Sequence, residues 1–376
     1  MPDVLIYADT YRSPELRHEV PFGVSDPFLY AEVEGVRHVV IGSMDIPSLA
    51  GVGAVELHPF EEYGVDELLG LSVGERRAEL ARRAVAALGV TSAVVPAAFP
   101  LWIADALRSS GVELVVDGEF FDDRRRVKSA AELAGIRQAQ RAAEAGMDAA
   151  RDLLRRAAPN GDGLGVDGEP LTVERVKAAI SVAFTANRAG TDDLIVGVGA
   201  QAADPHDLGS GPIRPGVPIV IDIWPRDNES AMYTDMTRTF VVGDVPDDVR
   251  RWHALAEEAL GRAVSELADG ADPRAIFDGT CEIFEAAGEP TRRQKQPGET
   301  QVNGFFHDLG HGVGLEVHEA PHLGLSAKLP LRAGDVLAIE PGCYREGYGG
   351  VRLEDVVLVG PDGGERLTEY PYDLDP

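Results

Sequence analysis

Apolar and polar residues in the first third of the chain follow two patterns. Short apolar runs bounded by Gly and Pro predict buried strands at residues 4–7, 36–41, 93–95 and 114–116. Between them, residues 73–88 carry apolar side chains at helical spacing and precede Gly89, a residue suited to a helix C-cap. Strands that alternate with a helical pattern predict an α/β domain.

The rest of the chain repeats one order of elements. A charged segment, residues 121–128, is predicted to be a connector, and Ser129 with Glu132 predicts the capping box of a long helix. Helical spacing of apolar residues predicts helices at 129–157, 172–187, 246–268 and 272–287. Apolar or alternating runs predict strands at 217–223, 231–242, 312–317, 335–339 and 351–359. Two helices followed by strands occur twice, which indicates an internal two-fold arrangement.

Length and charge narrow the class of protein. A chain of 376 residues exceeds the usual domain size of about 100–200 residues, and we predict two domains, 1–126 and 127–376. The net charge of −28 repels phosphate backbones, so nucleic acid is not an expected partner. Cys281 and Cys343 are too few for a disulfide framework and fit a reducing cytoplasm. Neither a signal segment nor an apolar run of roughly 20 residues is visible, so membrane association is not expected.

Four carboxylates occur at or inside apolar strand patterns. They are Asp222 in VPIVIDIW, Asp235 in MYTDMTRTF, Glu340 after DVLAI and Glu354 in GGVRLEDVVLVG. A buried carboxylate is costly unless it is paired or bound to a cation, and one alone is more typical of a salt bridge. Four of them, together with the glycine-flanked His311, predict a site for divalent metal ions. Carboxylate oxygens suit Mn²⁺ or Mg²⁺, and one imidazole also fits Co²⁺, Fe²⁺ or Zn²⁺.

A competing metal motif overlaps this region. Residues 318–322, HEAPH, match the single-zinc signature H-E-x-x-H, which requires a helix because positions i and i+4 must share a face. Pro321 and the surrounding glycines oppose a helix there, so we expect a strand and reject the single-zinc interpretation.

Five segments in fixed order resemble one known family. The segments are IVIDIWP, YTDMTRTF, HDLGHGVGLEVHE, LAIEPGCY and GVRLEDVVLV, spread over residues 217–359. Together they resemble the pita-bread metallopeptidases, in the branch of Xaa-Pro aminopeptidase and prolidase, related to methionine aminopeptidase. The resemblance implies an α/β fold in which a creatinase-like N-terminal domain precedes a pita-bread catalytic domain of α+β type with pseudo-two-fold symmetry.

The resemblance also implies roles for individual residues. Two divalent metal ions, Mn²⁺ or Co²⁺ ahead of Zn²⁺ or Fe²⁺, would be held by Asp222, Asp235, His311, Glu340 and Glu354. Glu340 would also move protons as a catalytic residue. His206 and His318 would contact the substrate, and Arg352 would orient the ligands. The two aspartates lie farther apart in the chain than is usual in the family, but an even-numbered insertion preserves the strand face of each.

The implied activity is removal of an N-terminal residue from a peptide substrate. The context resembles the Xaa-Pro-cleaving branch, so an Xaa-Pro aminopeptidase or Xaa-Pro dipeptidase that forms a homodimer is expected. The alternatives are a creatinase-like C–N hydrolase and an inactive scaffold, and both usually lose metal ligands. Other histidines are given no catalytic role. His38 and His58 are predicted to be structural or solvent-facing, and His253 is predicted to lie on a helix surface.

Overall fold

A six-stranded mixed sheet is the centre of the first unit of the chain, Met1–Arg125, and Arg126–Pro376 form the second unit. The structure is a computed structural model that describes residues 2–49, 51 and 53–376. The strands are β1 (Val4–Ala8), β2 (Phe28–Val33), β3 (Val36–Ile41), β4 (Val55–Pro59), β5 (Ser92–Val95) and β6 (Glu113–Val116). Their order across the sheet is β4-β3-β2-β1-β5-β6. The helices are α1 (Pro14–Glu19), α2 (Ile46–Leu49), α3 (Val73–Ala87), α4 (Leu101–Ser109) and α5 (Gly118–Arg126). The predicted strands and the helix before Gly89 are confirmed.

The prediction of a connector at residues 121–128 is wrong, because most of this segment belongs to helix α5. Phe121 is buried in the core of the first unit. Arg124 donates to Glu19 at 2.8 Å and to Glu32 at 2.7 Å, and both carboxylates are buried. These tertiary contacts hold a helix where charge alone indicated a connector.

The second unit contains, in its described residues, two pairs of helices and five antiparallel sheets. The helices are α6 (Ala130–Arg155), α7 (Val173–Ala186), α8 (Asp247–Glu266) and α9 (Pro273–Ala286). The strands of its first half are β7 (Ala158–Asn160), β8 (Gly163–Val166), β9 (Glu169–Pro170), β10 (Ala189–Gly190), β11 (Ile195–Val198), β12 (Ile219–Ile223), β13 (Arg226–Asp227) and β14 (Met236–Phe240). Those of its second half are β15 (Gly310–Gly312), β16 (Glu319–Leu323), β17 (Val336–Ile339), β18 (Gly342–Arg345), β19 (Gly349–Arg352), β20 (Asp355–Val359) and β21 (Gly364–Arg366). None of the helices in the described residues is both long and apolar enough to span a membrane.

Each helix pair packs on one sheet, which is the repeat that the sequence indicated. Helices α6 and α7 share a core with the sheet β11-β12-β14, and α8 and α9 share another with the sheet β16-β15-β17-β20-β21. Ile221 of β12 faces the first helix pair, so its neighbour Asp222 must face away from it. In the second sheet, Leu337 faces the helices and Ala338 faces away. The polar faces of both sheets are therefore the faces that the helices leave uncovered.

Long helix α6 begins where the sequence predicted. The Ser129 side chain accepts from the backbone N–H of Glu132, and the Glu132 side chain accepts from the backbone N–H of Ser129. This reciprocal capping box satisfies two N–H groups that the first helical turn cannot pair.

Three local predictions in the second unit are wrong. Residues 313–317 are not a strand, because β15 ends at Gly312 after a register irregularity beside His311. The predicted strand 351–359 is interrupted between β19 and β20, which places Glu354 in the break. His253 is only 7% exposed, because α8 is covered by its neighbours on that side.

Candidate metal centre

The eight residues that the sequence singled out for chemistry all line one cavity in the second unit. Its volume is about 460 Å³. The eight are Asp222, Asp235, His311, Glu340, Glu354, His206, His318 and Arg352. They are widely separated along the chain, so the fold brings them together.

The two aspartates project from one face of the strand pair β12–β14, Asp222 from β12 and Asp235 from the position directly before β14. Asp222 is paired with Thr237 in the antiparallel register, and Asp235 lies two positions before Thr237. Side chains alternate between the two faces of a strand, so all three residues project to the same side. The long connection between Asp222 and Asp235 has therefore kept both side chains on one face, as an even-numbered insertion should.

The remaining three donors come from the second sheet. His311 lies on β15, Glu340 directly follows β17, and Glu354 directly precedes β20. His311 Nε2 lies 3.9 Å from Asp235 Oδ2 and 3.7 Å from Glu340 Oε1. One donor atom each from Asp235, His311 and Glu354 lie within 4.8 Å of one another. Donors from both sheets thus face one small volume.

The backbone determines which nitrogen of His311 faces this volume. His311 Nδ1 lies 3.1 Å from the carbonyl oxygen of Gly312. A carbonyl can only accept, so Nδ1–H donates there and Nε2 of the neutral ring carries the lone pair. Burial, followed by the neighbouring His318, lowers the pKa of His311 to about 3. His311 Nε2 is consequently available as a metal ligand at neutral pH.

The four carboxylates are crowded together, and all but the half-buried Glu340 are buried. Burial raises the pKa of Glu354 to about 8, and the negative charge of Asp222 is the next cause. Burial also raises the pKa of Asp235 and of Glu340 well above the usual range, followed in both cases by the charge of Glu354. Such a cluster remains ionised at neutral pH only if positive charge is supplied to it.

This crowding predicts that the metal-free chain becomes less stable as pH rises. Folded Glu354 holds its proton up to about pH 8, whereas its ordinary pKa is 4.5. The folded state binds more protons between these values, so the free energy of unfolding should fall as pH rises through that window. We expect thermal melts of chelator-treated protein to show a falling melting temperature across it, and melts of metal-loaded protein to show a smaller decrease.

Glu354→Gln is the control for this effect, because glutamine does not titrate. The slope of melting temperature against pH should be shallower in the metal-free variant than in the metal-free wild type. Equal slopes would contradict the assignment of the effect to Glu354.

Arg352 connects the site to a buried hydrogen-bond network. Its Nη2 donates to Asp222 Oδ2, its Nε donates to Thr237 Oγ1 at 3.2 Å, and its Nη1 donates to the Tyr344 hydroxyl at 3.2 Å. His307 Nδ1–H donates to a backbone carbonyl, so the Tyr344 hydroxyl donates to His307 Nε2 at 3.0 Å. The network orients Arg352 and, through it, one oxygen of Asp222.

The second oxygen of Asp222 supports the presence of a cation site. Asp222 Oδ1 is buried and has no hydrogen-bond partner in the structure. A buried polar atom without a partner costs about 1–3 kcal/mol. A divalent cation would satisfy this oxygen, and the four other donors beside it are the residue types that such ions prefer. The site therefore fits a pair of divalent metal ions.

His206 and His318 are exposed residues that line the same cavity. The His318 ring centroid lies 4.2 Å from that of His311. The backbone N–H of His206 donates to Asp204 Oδ1 at 2.9 Å, which holds the turn that carries it. Both imidazoles can therefore reach a molecule that occupies the cavity.

The competing H-E-x-x-H motif lies in and next to strand β16 and has no helix. Glu319 is buried and forms an ion pair with the buried ammonium of Lys128, whereas His322 is exposed. In an extended chain the Cα atoms of positions i and i+4 lie roughly 13 Å apart, too far for His318 and His322 to bind one ion. The single-zinc interpretation is rejected, as the sequence predicted.

Several residues of the site were not predicted from the sequence. Thr237 donates to Glu354 Oε2 at 2.7 Å, and Tyr344 holds Arg352. Strand parity could have identified Thr237, since it lies two positions after Asp235 in a predicted strand. Trp224 and Phe306 also line the cavity. Apolar residues of this kind give no sequence signal that separates them from core residues.

Comparison with known proteins gives two kinds of match. The profile of Peptidase_M24, described as Metallopeptidase family M24, matches residues 134–361. Over 183 residues the chain is 35% identical to the Xaa-Pro dipeptidase of Pyrococcus furiosus, which covers 48% of this chain and 49% of that protein. The chain thus spans about half the length of this curated relative.

Two solved structures resemble nearly the whole chain. The Xaa-Pro dipeptidase from Bacillus anthracis has a TM-score of 0.80 at 21% identity and covers 100% of this chain and 94% of its own. The X-Pro aminopeptidase from Thermotoga maritima has a TM-score of 0.78 at 22% identity, with coverage of 98% and 96%. At these identities the likeness shows the fold, and it confirms the predicted α/β unit followed by a pita-bread unit.

Proposed function

The chain belongs to metallopeptidase family M24, and from this premise we propose that it is a two-metal hydrolase that removes the N-terminal residue from peptides at Xaa-Pro bonds. The catalytic domain is residues 127–376. The observation that carries the proposal is the convergence of four carboxylates and one imidazole on one cavity. Family relatives that lose peptidase activity usually lose ligands, so the complete set favours a peptidase over a creatinase-like C–N hydrolase or an inactive scaffold.

The ligand assignment follows the positions of the donor atoms. Asp235 and Glu354, whose oxygens lie together beside His311, would both serve as metal ligands. Asp222, with its unpartnered Oδ1, is suited to hold one of the two ions. His311 Nε2 and Glu340 Oε1 lie 3.7 Å apart and are suited to hold the other. Arg352 keeps Asp222 in place and does not itself bind a cation.

When bound, a pair of divalent ions polarises a carbonyl oxygen and activates water for hydrolysis. The protein supplies the proton transfers. The Glu340 side chain is 21% exposed, compared with 7% for Asp235 and 13% for Asp222. This greater access suits Glu340 to take a proton from water and deliver it to the leaving amine. His318 and His206 are placed to donate hydrogen bonds to the oxygen on which negative charge develops.

The Xaa-Pro substrate class rests on the names of the relatives and on the cavity wall. The matched proteins are Xaa-Pro dipeptidases and an X-Pro aminopeptidase. Trp224 and Phe306 line the cavity beside the polar residues, and their rings offer an apolar surface against which a proline ring can pack. Manganese or cobalt is proposed as the metal, because four of the five donors are carboxylates.

Chelation tests the proposal. Because the substrate carbonyl has to be polarised by the ions, we expect a chelator to abolish hydrolysis of Xaa-Pro dipeptides and Xaa-Pro tripeptides. Added Mn²⁺ or Co²⁺ should restore it. Dipeptides and tripeptides assayed in parallel distinguish an Xaa-Pro dipeptidase from an Xaa-Pro aminopeptidase, and matched peptides with Ala in place of Pro are the control. Full activity in a preparation shown to be free of metal would contradict the two-metal mechanism.

We also propose that the protein is cytoplasmic and forms a homodimer. Cys281 and Cys343 are buried free thiols, as expected for a protein in a reducing cytoplasm. A homodimer is the expected assembly, and sedimentation analysis of the purified chain would test it.

A further inference from the structure

We propose a second metal site, in the first unit, that binds a Zn²⁺-type transition-metal ion through His38, Glu56 and His58. Within the described part of the chain, three potential ligand atoms come within 4.8 Å of one another at two places. One is the centre described above, and the other is this group. The two groups share no residue and lie in different units.

The register of two parallel strands produces the cluster. On β3 and β4, His38 is paired with Glu56 and Val40 is paired with His58. Residues two apart on a strand share a face, so His38, Glu56 and His58 all project to the same side of the sheet. His38 and His58 are twenty positions apart in the sequence, so neither residue alone predicts a metal site.

The distances match a tetrahedral site. His38 Nδ1 lies 3.1 Å from His58 Nε2 and 3.4 Å from Glu56 Oε2, and His58 Nε2 lies 3.9 Å from the same oxygen. Tetrahedral coordination with bonds of about 2.0–2.2 Å separates ligand atoms by roughly 3.3–3.5 Å. The three atoms need to move by only a few tenths of an ångström to share one ion.

A fourth residue orients one of the ligands. Glu62 Oε2 lies 2.9 Å from His58 Nδ1. This carboxylate can only accept when ionised, so Nδ1–H donates to it and the lone pair of the neutral ring is on Nε2, the atom that faces His38 and Glu56. A carboxylate behind a ligating imidazole is the arrangement that metal sites use to fix the tautomer and raise ligand basicity.

The ligand types select the kind of ion. Two imidazoles and one carboxylate suit Zn²⁺, Co²⁺, Ni²⁺ or Cu²⁺, whereas Mn²⁺ is the weakest of the series at such a site. Three protein ligands leave one position of a tetrahedral ion free. Because the Glu56 side chain is 63% exposed, water can reach the ion and occupy that fourth position. Strand β4 is the edge of its sheet. A bound ion would therefore tie an edge strand to its neighbour as well as present an open coordination position.

Metal counting on the full-length chain tests the site. After equilibrium dialysis against Zn²⁺, the wild type should hold one more zinc ion per chain than the double variant His38→Gln/His58→Gln. After dialysis against Mn²⁺ the two proteins should hold equal amounts. His18→Gln, which removes a histidine from helix α1 of the same unit, is the matched control and should keep the wild-type zinc count. Equal zinc counts in the wild type and the double variant would show that His38 and His58 only form a hydrogen-bonded pair. That result would overturn the proposal.

A milder variant, Glu62→Ala, tests the site even if the double variant does not fold. Glu62 is on the surface, so Glu62→Ala should leave the melting temperature of the metal-free protein unchanged. It should weaken zinc binding at this site by about 10–100-fold, the usual effect of losing the carboxylate behind a ligating histidine. Glu61→Ala, which removes the preceding exposed carboxylate, should leave zinc affinity unchanged. Unchanged zinc affinity in Glu62→Ala would also count against the site.

Discussion

Asp235→Asn is expected to lower turnover on an Xaa-Pro peptide by roughly 10³-fold or more. Each tenfold loss of rate corresponds to about 1.4 kcal/mol of activation free energy, and bound cations lower the barrier by several kcal/mol. A neutral amide lacks the negative charge with which Asp235 would balance a bound cation. The metal content should fall as well. The fold should persist, because the side chains are isosteric and the backbone N–H of Met236 can still donate to Oδ1 of asparagine.

The metal-free variant provides a second measurement. Burial, followed by the charge of Glu354, raises the pKa of Asp235, so folding of the metal-free protein near neutral pH has to protonate this carboxylate or bury its charge, and asparagine avoids that cost. The metal-free variant should therefore melt at or above the temperature of metal-free wild type near neutral pH. Glu229→Gln removes an exposed charge from the same connection between β12 and β14 and should leave turnover unchanged. Near-wild-type turnover of Asp235→Asn would show that Asp235 is not a metal ligand.

His318→Ala should lower kcat by about 10²–10⁴-fold, the range for a residue that assists proton transfer or charge development. His318 lies on the cavity and is exposed, and it is not one of the five proposed ligands. The variant should therefore keep its two metal ions. A contact made only in the transition state lowers kcat and kcat/KM together, so both should fall by a similar factor. His322→Ala, an exposed histidine on β16, is the control and should retain wild-type kinetics.

Glu319→Gln separates this mechanism from single-zinc chemistry. If Glu319 were the general base of an H-E-x-x-H site, the variant would be inactive. In the structure Glu319 neutralises buried Lys128, so the expected loss is in stability, about 3–5 kcal/mol for breaking a buried ion pair. Folded Glu319→Gln should keep substantial turnover and its metal. Loss of metal in His318→Ala together with an inactive but folded Glu319→Gln would overturn the assignment.

The sequence alone was enough to predict many of the elements and the residues that meet at the candidate metal centre. Helix α6 with its Ser129 capping box depends on residues that are neighbours in the chain, and local periodicity reveals such features. Asp222 and Asp235 were identifiable because a carboxylate inside an apolar strand is costly, and this cost is visible in one segment at a time. The even-numbered lengthening of their connection could also be judged locally, since strand faces alternate with period two.

Only the tertiary structure decided which distant residues meet. Helix α5 forms at a charged segment because Arg124 meets Glu19 and Glu32, which lie far from it in the sequence. Glu319 is paired with Lys128, and the parallel register of β3 and β4 places His38 beside His58. Strand register and long-range ion pairs arise from packing between segments, and local patterns do not encode which partner each segment will find. The residues that meet at the candidate metal centre could be predicted because their carboxylates stand out inside single apolar segments. The histidine cluster could not be predicted, because its signature exists only between two strands.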